Sequence, residues 1–449
     1  MTAESPASNS AESDADAEIA VDSSVPPPAS EPAGDDQAIA TTSVAPHPQS
    51  TLITIRLDET HAGRVRGGAP QLDPKESGLE LGDLQSGATA ILSDAEGNSL
   101  AFGIHDAPNA LVRVLPFEPD ESPAHLDVEF LRRRVKKALR WRKRLQLTGP
   151  EAAYRLINQE GDGLPGFTVD VYSGHAVIFS YSAALEPYAA LLAEAVKLEL
   201  KPQSVIGKIR PPGETPVGRV DFTLYSEEPP PKTLVVEEDD VKYEVHLQGG
   251  LNTGLFCDMR DVRRTVRNLS AGQRVLNLFA YTGSFSVVAA LAEAKSVTTV
   301  EFAGGVVEWA KTNFALNEIP ADHRGMKFVK ADVFEFLKNA RRRDDLWDLL
   351  ILDPPLATSA PGRKWFLKSD YDRLIAHALR VLAPGGMMVV ASSAMQSRPE
   401  GVESQIRHAA KEAGRRLRLV DAFGLPGDFP TQMIHAPSRY LKVFILLAD

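Results

Sequence analysis

The chain has 449 residues, of which 43% are hydrophobic and 24% charged, and its formal net charge is −11. That length supports two or three domains with cores of their own, while no apolar run is long enough for a membrane span and no basic-then-apolar leader opens the sequence. One cysteine, Cys257, excludes an internal disulfide and a cysteine-rich zinc centre, so a cytoplasmic protein with no membrane and no metal partner is the expectation.

Residues 1–50 hold nine acids and no Lys or Arg. Rich in Ala, Ser and Pro, they cannot bury enough surface to offset their ordering entropy, and a disordered, solvating tail is expected. Removing those nine acids from the net charge leaves −2 for the rest of the chain, so local patches decide whether a polyanion binds.

Over residues 51–122 the pattern is of short strands at 52–56, 88–92, 100–104 and 110–115, separated by Gly and Asp turns. A small β-barrel is expected there, of a size common among RNA-binding modules. Arg64, Arg66 and Lys75 either touch phosphate or are simply solvated.

The segment 123–246 opens with a helical pattern at 126–147, where Leu131, Val135, Ala138, Leu139 and Leu145 share a face. Arg132, Arg133, Arg134, Lys136, Lys137, Arg140, Arg142, Lys143 and Arg144 place nine cations within thirteen residues, and these repel one another unless something anionic is near. With Trp141 among them, this helix is the expected contact with an RNA backbone, through Arg132, Arg133, Arg134, Lys136, Lys137 and Arg140; a solvated face is the plainer alternative. Strands at 167–172, 176–180 and 204–209 around a helix at 185–198 then suggest a compact α+β middle domain without a catalytic constellation.

Residues 247–449 carry the chemistry. A buried parallel strand at 274–279 leads into the turn Ala280-Tyr281-Thr282-Gly283-Ser284 and a helix, and a β-rich run at 296–300 ends on Glu301. This reads as half of a doubly wound nucleotide-binding sheet, in which Gly283 would admit the ligand and Glu301 accept ribose hydroxyls, with a plain tight turn and a solvated strand end as their alternative roles. A dinucleotide site wants three glycines around a pyrophosphate; here Gly283 stands alone with no Lys or Arg beside it, which suits a nucleoside such as S-adenosylmethionine. The next strand, 326–330, is followed by Asp332 and Val333, placed for the amine and the face of an adenine, with a helix N-cap as the alternative role for Asp332. A fourth strand, 349–352, ends on Asp353-Pro354-Pro355, a rigid mouth at the ligand edge. Strands at 387–391, 417–420 and 440–447 complete the sheet, the last two expected as an antiparallel edge pair with little between them. Four strand ends in this order read as a methyltransferase core.

These segments together resemble the PUA-domain-containing class I ribosomal RNA large-subunit methyltransferases, over about 51–449. The marks are Tyr154-Arg155-Leu156-Ile157, Asp162-Gly163-Leu164-Pro165-Gly166, Asn252-Thr253-Gly254 with Asp258 and Arg260, Tyr281-Thr282-Gly283, and Asp353-Pro354-Pro355. The resemblance implies a PUA-like barrel, a middle α+β domain and a Rossmann-like methyltransferase domain. It also implies that Thr253, Gly254, Asp258 and Arg260 close over the methyl donor, with Asn277, Phe279, Tyr281 and Thr282 forming the first turn of that pocket. The best-known members methylate cytosine C5 and a sister branch guanine N7. Cytosine-5 chemistry requires a thiolate to add to C6, yet Ser393 occupies the place of the family's cysteine. The expectation is therefore a base of large-subunit ribosomal RNA, methylated without a cysteine adduct. A ring nitrogen needs only alignment with the methyl group; Asp353 with Pro354 and Pro355 would orient the base, and Ser392 or Ser393 would bond its edge. A catalytically silent relative that binds cofactor and RNA, a cytosine-5 enzyme with another nucleophile, and homodimerisation stay open. Leu356 replaces a lysine common after the two prolines, and the barrel lacks the family's basic-aromatic opening.

Overall fold

The computed structural model describes residues 53–449 apart from 78, 80, 82–83, 120, 122–124, 211–219, 321–322, 324, 361–362 and 396, and the side chains of 77, 357–360, 363–366 and 368. The acidic segment 1–50 lies outside the described residues.

The N-terminal sheet has five strands in the order Ile53–Arg56, Thr89–Ser93, Ser99–Asp106, Leu111–Pro116 and Gln71–Leu72. Only its first pair is parallel, and the helix Glu59–Arg66, absent from the sequence expectation, makes that crossover. Ala62 and Val65 of this helix close a small core with Leu92, Ala101 and Val114.

The middle sheet runs Thr223–Leu224, Ser204–Ile209, His175–Ser180, Phe167–Tyr172, Ala153–Asn158. Two helices, Val128–Arg144 and Glu186–Leu200, bury their apolar stripes on it: Phe130, Leu131, Val135 and Leu139 meet Leu192 and Val196 in one core. A further hairpin, Leu234–Glu238 with Val241–Val245, donates Lys242 N to Asn317 Oδ1 and Glu244 N to Asn313 Oδ1 on a helix of the last sheet.

That last sheet comprises β1 (Arg274–Leu278), β2 (Ser296–Glu301), β3 (Met326–Lys330), β4 (Trp347–Leu352), β5 (Leu382–Ser392), β6 (Leu417–Phe423) and β7 (Lys442–Ala448). In space the order is β3-β2-β1-β4-β5-β7-β6. The first five strands run parallel and β7 runs antiparallel to β5 and β6. Both faces are covered, which is why the central strands read as unbroken apolar runs. Val275, Leu349, Ile351 and Val389 enter one core with the helices Arg260–Leu269 and Ser284–Leu291. Leu276, Leu350, Leu352 and Val390 enter the other, with Val333–Arg342, Leu367–Leu379 and Pro399–Ala413.

The edge pair departs from expectation in one respect. Residues 424–441 intervene between β6 and β7, and they leave the sheet for the middle module. Trp141 Nε1 donates to the Gly427 carbonyl, Arg142 Nη2 to that of Asp428 and Asn158 Nδ2 to that of Pro430. The seam is tight enough that a Cβ on Gly161 would overlap the Pro430 carbonyl.

Candidate active site

Register brings the strand ends together. Leu278 pairs with Val300 and Leu352, and Leu352 pairs with Val390. The residues that follow these strands therefore emerge along one carboxyl edge, where open parallel sheets bind ligands.

The turn after β1 is more strained than one glycine suggests. Phe279 (φ 55°) and Tyr281 (φ 49°) join Gly283 (φ 74°) in the left-handed region, a conformation that persists only when its surroundings hold it. Glu301 supplies part of that hold, accepting from Tyr281 N at 3.0 Å, Phe302 N at 2.7 Å and Ala303 N at 3.1 Å. A carboxylate offers about four lone-pair sites, so capacity remains for a ribose hydroxyl. Asp332 caps the helix Val333–Arg342 by accepting from Glu335 N at 3.0 Å, and Val333 is buried behind it. Asn277 lies beneath the turn: it is 1% exposed and its Nδ2 donates to Ser286 Oγ at 2.9 Å. Its side chain thus supports the turn from within the core, where a ligand at the carboxyl edge would not reach it.

The segment 252–260 docks onto this turn. Thr282 Oγ1 donates to the Gly254 carbonyl at 2.6 Å, Asn313 Nδ2 to the Thr282 carbonyl at 2.8 Å, and Thr253 Oγ1 to the Tyr172 hydroxyl at 2.8 Å. Gly254 has φ 110°, and a Cβ there would overlap Trp309. Trp309 is a site residue missed in the sequence; it stacks on His246 at 3.9 Å and donates Nε1 to the Glu244 carbonyl. Arg260 requires a correction. Its Nη1 meets Asp428 at 2.7 Å, its Nη2 the Ala153 carbonyl at 2.7 Å and its Nε Glu238 at 3.3 Å, so each nitrogen already faces a protein group, and the side chain, 4% exposed, ties segments together from behind instead of facing a cofactor.

Beside the ends of β4 and β5, Asp258 accepts from the Tyr440 hydroxyl at 2.7 Å. Burial raises the pKa of the Asp258 carboxyl above its ordinary value, the Tyr440 bond opposing. Burial, reinforced by the charge of Asp258 and opposed by Arg263, pushes that of Asp353 up to about 7. Pro354 is buried and Pro355 exposed. Ser392 is 1% exposed and Ser393 half-buried, and no base hydrogen-bonds the Ser393 hydroxyl among the described residues. Cys257 is buried, and burial pushes its thiol far above the ordinary range.

Comparison with known proteins agrees with this geometry. Residues 221–446 match the S-adenosylmethionine-dependent methyltransferase family. "Putative ribosomal RNA large subunit methyltransferase YwbD" of Bacillus subtilis (strain 168) is 30% identical over 87% of this chain and 98% of its own length. "Ribosomal RNA large subunit methyltransferase I" of Serratia proteamaculans (strain 568) is 32% identical over 81% and 91%. The chain belongs to the S-adenosylmethionine-dependent methyltransferases. The crystal structure of "SMU.776, a putative methyltransferase complexed with SAH", superposes with TM-score 0.76 at 25% identity, covering 88% of this chain and 100% of that one.

In this methyltransferase the cationic helix divides into buried and free charges. Arg134 is 4% exposed; it bonds Glu121 and the Phe130 and Pro116 carbonyls and lies over the Phe130 ring. It is therefore withdrawn from the expected RNA contacts; Arg142, which was not among them, is fully buried on Asp162. Arg132 pairs with Glu199 and Glu129, Arg133 with Glu121, and Lys137 with Glu118. Lys136, Arg140, Lys143 and Arg144 are exposed, and none has an acidic partner among the described residues. Their spacing of four, three and one residues sets them on one helical face. No helix of the described residues is long and apolar enough to cross a membrane.

Proposed function

We propose that this methyltransferase modifies a base of large-subunit ribosomal RNA, and that it does so without a cysteine adduct. The observation that carries the second half is the pairing of Ser393 at the family's thiol position with a Cys257 that is buried and held protonated. Carbon 5 of cytosine needs a nucleophile stronger than an unassisted serine hydroxyl, whereas a nitrogen lone pair of a base needs alignment only. The RNA half is supported by the large-subunit relatives, which match over more than four-fifths of the chain, and by the free cations of the Val128–Arg144 helix.

S-adenosylmethionine, when bound, supplies an electrophilic methyl group on a sulfonium. Glu301 would hold its ribose, Asp332 and Val333 its adenine, and the turn from Phe279 to Gly283 with Thr253 and Gly254 its remaining length. Asp353, with the Pro354-Pro355 corner, would orient the base at the opposite wall; Ser393 would bond its edge. Asp258 reaches this wall through Tyr440 and Arg260 supports it from behind. Lys136, Arg140, Lys143 and Arg144 would follow the RNA backbone. The reading includes a PUA-like N-terminal module, with divisions near residues 50, 122 and 246, and cytoplasmic action on the ribosome or its precursors. Mass spectrometry of nucleosides from ribosomal RNA of cells with and without the gene tests it directly. Loss of one methylated base other than 5-methylcytidine is expected; loss of 5-methylcytidine overturns the chemistry, and an unchanged profile overturns the substrate.

A further inference from the structure

Lys442 opens β7 directly opposite Ser392 of β5, in a strand whose next four residues, Val443, Phe444, Ile445 and Leu446, all enter the cores. Only 6% of it is exposed, and no carboxylate pairs with its ammonium among the described residues. Its Nζ donates instead to the Ala394 carbonyl at 2.7 Å and to the Tyr440 carbonyl at 3.0 Å. An ammonium buried without a counter-charge is costly, and an apolar side chain of similar length would fill the space without that cost. Packing therefore does not account for a lysine here.

Its bonds do have a geometric consequence. The Ala394 carbonyl also accepts from Ser397 N at 3.2 Å, and the Tyr371 hydroxyl donates to the Ala391 carbonyl. The backbone is thus tied from inside on both sides of Ser392-Ser393. Tyr440, whose carbonyl Lys442 holds, reaches Asp258 through its hydroxyl. One buried cation joins the turn after β5 to the segment that lies over the cofactor turn.

We propose that Lys442 is a positioning residue for methyl transfer: its ammonium fixes the turn that presents Ser393 and, through Tyr440, the register of that turn against Asp258. The proposal rests on the reading of this edge as the wall that meets the base. Lys442 touches neither base nor donor; it acts through the backbone.

Lys442→Met keeps the length of the stem and removes the donors, while Lys442→Arg keeps both charge and donors. Hydrogen–deuterium exchange on the full chain should show amides of 392–397 exchanging about tenfold faster in Lys442→Met, with β1 and β4 unchanged and part of the protection regained in Lys442→Arg. On ribosomal RNA, kcat should fall about tenfold while KM for RNA and affinity for S-adenosylhomocysteine stay within about twofold. Unchanged exchange over 392–397 overturns the proposal. So does a loss of protection spread equally through β5 and β7 with a matching loss of S-adenosylhomocysteine affinity, the signature of a merely structural lysine. A wild-type chain inactive on ribosomal RNA would count against the substrate, and the exchange comparison would still decide the role of Lys442.

Discussion

Gly254→Ala tests the proposed closing of the cofactor pocket by the segment 252–260. At φ 110° a side chain is strained, at a cost of about 1–3 kcal/mol. The new Cβ would overlap Trp309 Cζ2 and stand 2.9 Å from Cη2 and 3.0 Å from the Glu244 carbonyl. Trp309 cannot swing aside cheaply, because it is stacked on His246 and bonded to that same carbonyl; overpacking of this kind costs about 1–3 kcal/mol. Against these stands about 0.4–1 kcal/mol gained from a less flexible unfolded chain. The net is a loss of about 1–6 kcal/mol if the fold absorbs it all. If instead the segment lifts away, the 2.6 Å bond from Thr282 Oγ1 to Gly254 opens, and each 1.4 kcal/mol diverted in this way weakens the cofactor about tenfold. Calorimetric titration with S-adenosylhomocysteine and thermal unfolding together capture both routes. Gly63→Ala, in the helix Glu59–Arg66 with nothing within 4 Å of the added carbon, is the control and should stabilise slightly. A Gly254→Ala variant that melts and binds like the wild type would refute the closing role of this segment.

The remaining predictions concern the charges and the hydroxyl. Replacing Lys136, Arg140, Lys143 and Arg144 with Gln should weaken RNA binding and flatten the plot of log affinity against log salt by roughly 0.7–0.9 for each phosphate that is no longer neutralised, whereas Arg134→Gln should lower the melting temperature and leave the slope alone; the reverse pattern would move RNA off this face. Asp353 titrates at about 7 in the fold against an ordinary 3.8, so the native state keeps a proton that the unfolded chain has already lost. Its contribution to stability is full below the ordinary value and gone once the pH passes about 7. Asp353→Asn should therefore gain on the wild type in melting temperature as the pH rises through that window and then level off; a difference that stays flat would place the carboxyl in water. Ser393→Ala should retain methyl transfer within about tenfold, as expected for loss of one hydrogen bond to substrate; complete loss in a folded variant would make the hydroxyl a nucleophile.

What the sequence disclosed followed from how local each signal was. The central parallel strands were readable because both faces are buried, and the ends of β2 and β4 were readable because Glu301 and Asp353 are acids directly after apolar residues; β3, an edge strand with no buried residue, offered only Asp332 two residues beyond its end. The helix Glu59–Arg66 was not, since only Ala62 and Val65 of its eight residues are buried and two positions establish no period. The hairpin over 234–245 left a signal that went unused: Asp239 and Asp240 both have positive φ (50° and 66°), as a two-residue hairpin turn demands. The basic helix shows the deeper limit. Nine cations on one helix look alike in sequence, yet Arg134 finds Glu121 at a separation of 13 residues, Arg142 finds Asp162 at 20, and the Asp428 carbonyl reaches Arg142 from 286 residues away. A helical wheel separates the core face from the outside; it does not distinguish a cation facing a neighbouring acid from one facing solvent. Lys442 is the counterexample, because a lone cation directly before four core residues is itself an anomaly, and desolvation makes such an anomaly expensive enough to signal a purpose.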